Sequence, residues 1–122
     1  MNHFISLDEA IKMTGLYRQH KENILSGEFK GKNILSFSET FDAEAFRTIL
    51  NKKGCKSLRI YFGMSEDKKV HAIIVGVNEN NEDMLPSAKE GQGSTANLTV
   101  GEIIEQGQLC PPVCPAVSPL NP

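Results

Sequence analysis

The pattern most able to do chemistry is Cys110-Pro111-Pro112-Val113-Cys114-Pro115, two thiols in a segment stiffened by proline. Such a pair can bind a soft metal ion, close a local disulfide or exchange with other thiols. Zinc sites usually separate paired cysteines by two residues, and the thioredoxin-like C-x-x-C spacing is missing here. A four-ligand site would have to recruit Cys55 and a histidine from distant sequence. With Cys55 the chain has 3 cysteines, an odd and sparse set that predicts reduced thiols and not the even-numbered framework of small secreted domains. The simplest expectation is that Cys110 and Cys114 pack as small hydrophobes.

A second constellation is Arg59, Tyr61 and His71. If Ser57 to Met64 and Val70 to Val77 form an antiparallel hairpin closing at Met64 and Val70, these three side chains share one face. They would make a small cationic, hydrogen-bonding patch able to hold an anion or polarise a carbonyl. No carboxylate or nucleophile lies at diagnostic spacing nearby, and a strand histidine is more often half-buried and satisfied than catalytic. Lys52, Lys53 and Lys56 close a helix beside Glu39, Asp42 and Glu44, which reads as a solvated helix end and not as a nucleic-acid surface. Gly91 and Gly93 lack the strand, helix and Lys-Ser/Thr of a phosphate loop, and neither Gly-x-Ser-x-Gly nor His-Glu-x-x-His occurs. Glu82 and Asp83 are expected in a solvent-facing turn. No catalytic residue and no cofactor is implied.

Elements must position these residues. Ser6-Leu7-Asp8-Glu9 has the spacing of a capping box, and Leu7, Ala10, Ile11, Thr14, Tyr17, Ile24 and Leu25 continue one apolar stripe, predicting a helix over 6–25. Asn33 to Phe37 is β-prone. A second helix is expected over 42–53, with Asp42 as cap, Phe41 and Phe46 as hydrophobic staple, and Gly54 as a left-handed stop. Ser57 to Met64 alternates, Ser65 to Lys69 is a charged turn, and Val70 to Val77 is apolar on both faces except at His71, as an inner strand would be. Asn78 to Asp83 reads as a polar turn, and Leu98 to Ile104 as either a short strand or a turn of helix.

The chain has 122 residues, enough for one modest core, with 39% apolar and 23% charged residues; this excludes a collagen-like or wholly disordered chain. Its net charge of −2 draws it neither to nucleic acid nor to anionic lipid. The longest apolar run, Ala72 to Val77, falls far short of the ~20 residues that cross a bilayer, and no signal-peptide pattern opens the sequence. A cytoplasmic protein is the default. Aromatic residues end at Phe62, and five of the 6 prolines fall in the last twelve residues. These shifts suggest a folded body over 1–85, a flexible loop over 86–97, and a short element with a proline-rich tail over 98–122, docked on the body.

The segments Ser57-Leu58-Arg59-Ile60-Tyr61-Phe62-Gly63-Met64 and Lys69 to Val77, together with the terminal Cys-Pro-Pro-Val-Cys-Pro, resemble a group of small bacterial proteins with no assigned activity. The resemblance would cover nearly the whole chain. It implies a bacterial cytosolic setting and transfers no catalytic residue. The fold expectation is α+β: a small, mainly antiparallel sheet with a central hairpin, covered on one face by two helices, with an extended proline-rich C-terminal tail. The functional expectation is a non-enzymatic interaction or assembly protein, binding a protein partner or itself, with neither nucleic acid nor membrane involved. The alternatives are a small enzyme or ligand-binding domain using the face of Arg59, Tyr61 and His71, or a thiol or metal site at Cys110 and Cys114.

Overall fold

The computed structural model describes residues 2–86 and 102–122. All of the expected loop at 86–97 except Pro86, and residues 98–101 of the expected element at 98–104, lie outside them. The class is α+β, with two helices and two small antiparallel sheets. Helix α1 spans Leu7–His20 and α2 spans Ala43–Leu50; the strands are β1 Ser38–Thr40, β2 Ser57–Met64, β3 Val70–Val77, β4 Asp83–Met84 and β5 Gln108–Cys110. One sheet has the order β2-β3-β4, and β1 pairs with β5 in the other. None of the described helices is long and apolar enough to cross a membrane. The chain divides into two compact units, one made of residues 1–38 and 109–122 and the other of residues 39–108.

In the first unit the capping box forms as its spacing requires. The Glu9 backbone N–H donates to Ser6 Oγ at 3.0 Å, and the Ser6 N–H donates back to Glu9 Oε1 at 3.5 Å. The helix ends at His20 and not at Leu25: Lys21 is its C-cap, with its N–H still donating to Tyr17 O, and its side chain is buried. Its Nζ lies 2.9 Å from Glu22 Oε2 and 4.8 Å from the centroid of the Phe37 ring. That combination of ion pair and cation–π contact is what makes a buried lysine tolerable. Glu22 also accepts from the Gly31 N–H at 2.8 Å, which shapes the turn that follows. Asn33 to Phe37 is not a strand: Asn33 has a φ of 55°, which extended pairing excludes, and β1 begins one residue later at Ser38. The expected extended course after Gly107 includes a short ordered strand, β5.

In the second unit α2 begins after Asp42, which occupies the cap position without a side-chain cap bond, and ends three residues before the expected Lys53. Phe41 and Phe46 pack with ring centroids 6.0 Å apart, as the staple spacing anticipates. Gly54 takes a φ of 92°, the left-handed stop. Strands β2 and β3 have the expected limits and register, with Met64 opposite Val70 and Ser57 opposite Val77. The core sits on one face of this hairpin, where Ile49 of α2 meets Ile74 of β3 and Ile104, with Phe41, Ala45, Phe46, Cys55 and Leu58 around them. Ile104 is tied to Ile74 by a reciprocal pair of backbone hydrogen bonds, each 2.9 Å.

Candidate functional site

The register places Arg59 opposite Val75, Tyr61 opposite Ile73 and His71 opposite Gly63, so all three polar side chains do share the face opposite the Ile49–Ile74 core. They do not converge on one point. Arg59 and Tyr61 meet at Asp83, the first residue of β4: Arg59 Nη1 donates to Asp83 Oδ1, and the Tyr61 hydroxyl donates to Asp83 Oδ2. Arg59 Nη2 donates in addition to Asn81 Oδ1 at 2.6 Å. The bridge therefore reaches from β2 to β4 over the central strand, on the face where Val75 and Val77 are buried.

His71 is engaged elsewhere. Its Nδ1 lies 3.2 Å from Glu39 Oε2, and Glu39 Oε1 accepts the Ala72 backbone N–H at 2.9 Å. Both side chains are largely buried, at 17% and 12% exposure. The Ile73 side chain leans over Gly63, the residue opposite His71: a methyl added at Gly63 would meet Ile73 Cδ1 at 2.6 Å. Two separate carboxylate-centred pairs thus occupy one face, each with its donors already directed inward.

The electrostatics follow from those partners. Donation by Tyr61, and then the Arg59 guanidinium, holds the Asp83 carboxyl below its ordinary range. The same carboxylate, and then desolvation, pushes the Tyr61 phenol up, and Arg59 is pushed further up by its bond to Asp83. Each group is fixed in its charge state near neutrality, with the cation compensated by an anion.

Asp83, Asn81 and Glu39 are the partners that sequence spacing did not single out. Asp83 is not the solvent-facing turn residue expected, because the chain reverses at Asn78–Glu82 and returns it to the sheet opposite Val77. The signal lay in Asn81, whose φ of 66° is the left-handed conformation that asparagine tolerates at a tight turn.

Cys110 and Cys114 are joined as a disulfide, in place of the reduced thiols expected; Cys55 is free. Their Cα atoms lie 4.6 Å apart, and the peptide bonds Cys110–Pro111 and Pro111–Pro112 are both cis. Whatever the cysteine count of the chain, a separation of four can bring two of them into bonding range in a turn, here closed by the Val113 N–H donating to Leu109 O at 2.9 Å. Bonded sulfurs are not thiolate ligands. Among the described residues no cluster of three or more His, Cys, Asp or Glu could hold a metal ion.

A cavity of about 220 Å³ lies on the second unit, bordered by Thr40, Asp42, Ala45, Ile104 and Glu105. Arg59, Tyr61 and His71 do not line it.

No protein-family model, no curated protein and no solved structure matches this chain.

Proposed function

We propose that this chain is a non-enzymatic assembly protein that associates with a second copy of itself through strand β2. The observation that carries the reading is the character of that strand. It ends the sheet β2-β3-β4, runs for eight residues, and leaves Ile60, Phe62 and Met64, on the same face as Ile74, exposed at 54%, 81% and 59%. An end strand leaves the N–H and C=O groups of every second residue without a partner, and monomeric proteins usually guard such edges with lysine, proline, a bulge or a covering segment. β2 contains no proline and no lysine, and among the described residues it forms no second ladder. Its one charge, Arg59, is compensated by Asp83.

An antiparallel strand is complementary to itself across a two-fold axis, so two copies would continue one sheet through both chains. Phe62, with Ile60 and Met64, would supply the apolar contact that backbone bonds alone do not. The neutralised Arg59 supports this, since like charges facing each other across the axis would oppose it. The engaged donors of Arg59, Tyr61 and His71 favour assembly over the enzyme or ligand-binding alternative. The net charge of −2 offers nothing to attract nucleic acid or an anionic membrane.

Sedimentation across a micromolar concentration series tests the proposal. The wild-type chain is expected to sediment as a dimer, and Ile60→Lys with Phe62→Glu as a monomer of unchanged far-UV circular dichroism. A wild-type protein that stays monomeric throughout would overturn it.

A further inference from the structure

The Cys110–Cys114 bridge is asymmetric. Cys110 is 1% exposed, whereas Cys114 is at the surface. The buried end is held from both sides: its carbonyl accepts the Phe37 N–H at 2.7 Å, and Leu109 before it accepts from Val113 at 2.9 Å. The exposed end follows two prolines and precedes a third.

As a structural staple this bridge adds little. The restraint a disulfide imposes on the unfolded chain grows with the size of the ring it closes, and here only Pro111, Pro112 and Val113 lie inside. Two of those residues already have φ fixed by their own rings. What the bridge does provide is one sulfur open to an attacking thiolate and one shielded from it.

We propose that Cys110–Cys114 is an exchange site for an external protein dithiol, with Cys114 as the sulfur attacked. A thiolate of the donor attacks Cys114 Sγ along the S–S axis, and a mixed disulfide forms as the Cys110–Cys114 bond breaks. The bonding pair leaves on Cys110 Sγ, which takes a proton. The second thiolate of the donor then attacks its own neighbour's sulfur and releases Cys114 as a thiolate, which is protonated in turn. The donor ends as a disulfide and this chain as two thiols, a transfer of two electrons and two protons. Reoxidation runs the same steps backwards with an oxidised donor. Shielding of Cys110 directs every exchange through one mixed disulfide and keeps the second thiol close at hand to resolve it.

The probe is a small dithiol followed by thiol mapping. Native wild-type protein is treated with millimolar dithiothreitol, alkylated, and its modified cysteines located by peptide mass, with circular dichroism recorded throughout. Reduction of the bridge without loss of structure is expected. Oxidised glutathione added to the reduced protein is expected to give a mixed disulfide at Cys114 before the bridge re-forms. In the single variants, the free Cys114 of Cys110→Ser should react with an aromatic disulfide reagent at least ~10-fold faster than the free Cys110 of Cys114→Ser, because access controls the rate. If a variant does not fold, the glutathione map of the wild-type chain decides alone. A bridge that resists the dithiol until the protein unfolds, or glutathione found first on Cys110, overturns the proposal.

Discussion

Arg59 and Asp83, 24 residues apart in sequence, form an ion pair that joins the two outer strands of the three-stranded sheet over the central one. The Tyr61 hydroxyl occupies the other oxygen of the same carboxylate, so one side chain on a two-residue strand organises two on an eight-residue strand.

The pH dependence of stability follows from that carboxylate. Asp83 titrates lower in the folded chain than in the unfolded one, so its contribution is complete above the ordinary carboxyl value of about 4 and is lost as pH falls through the folded value. Tyr61 titrates higher when folded, so its contribution is complete below about 10 and is lost as pH rises through the folded value. Urea midpoints measured from pH 7 down to pH 2 should fall less steeply for Asp83→Asn than for wild type. A residual acid slope is expected from Asp67, lowered first by Ser65, and Glu22, lowered first by the Gly31 N–H.

Glu39 serves a backbone donor and a side chain at once. Glu39→Ala should leave the Ala72 N–H and His71 without their acceptor and cost about 1–3 kcal/mol in equilibrium unfolding. Glu39→Gln keeps an acceptor oxygen and should cost less. Equal losses for the two variants would show that the bond to Ala72 is not the main contribution.

Gly107 is fixed by crowding. A Cβ there would stand 2.7 Å from Glu39 Cγ and from two atoms of the Phe41 ring. Phe41 is in turn packed on Phe46, so Gly107→Ala is expected to destabilise by about 1–3 kcal/mol, as overpacked sites do. Gly27→Ala, with nothing within 4 Å of the new methyl, should be close to neutral when the two variants are compared by thermal unfolding.

Ile49 is the side chain through which α2 enters the core, 2% exposed and in contact with Ile74 and Ile104. Ile49→Ala should lose about 2–5 kcal/mol, measured by denaturant unfolding, and Ile49→Val about 0.5–1.5 kcal/mol.

Local signals in the sequence were the dependable ones. The limits of β2 and β3 were legible because alternation, the charged turn and the apolar return all lie within twenty-one residues of one another. The capping box at Ser6 and the staple of Phe41 on Phe46 were legible for the same reason. The end of α1 was not, since its C-cap Lys21 has its side chain over the Phe37 ring, a contact no local window contains. The shared face of Arg59, Tyr61 and His71 followed from strand parity alone, but Asp83 and Glu39 did not. One is returned to the sheet by a turn and the other stands far upstream, so neither has a spacing rule.

The division of the chain into units has a consequence for the order in which contacts become available during synthesis. Residues 39–108 are contiguous, while the other unit needs both 1–38 and 109–122. On a ribosome the inner stretch can begin to collapse as soon as it emerges, and the earlier residues must wait. Arg18 has no Leu120 carbonyl to donate to, and the Phe37 N–H no Cys110 carbonyl, until translation has passed both positions. Residues 1–38 therefore complete their contacts only after 109–122 have been made.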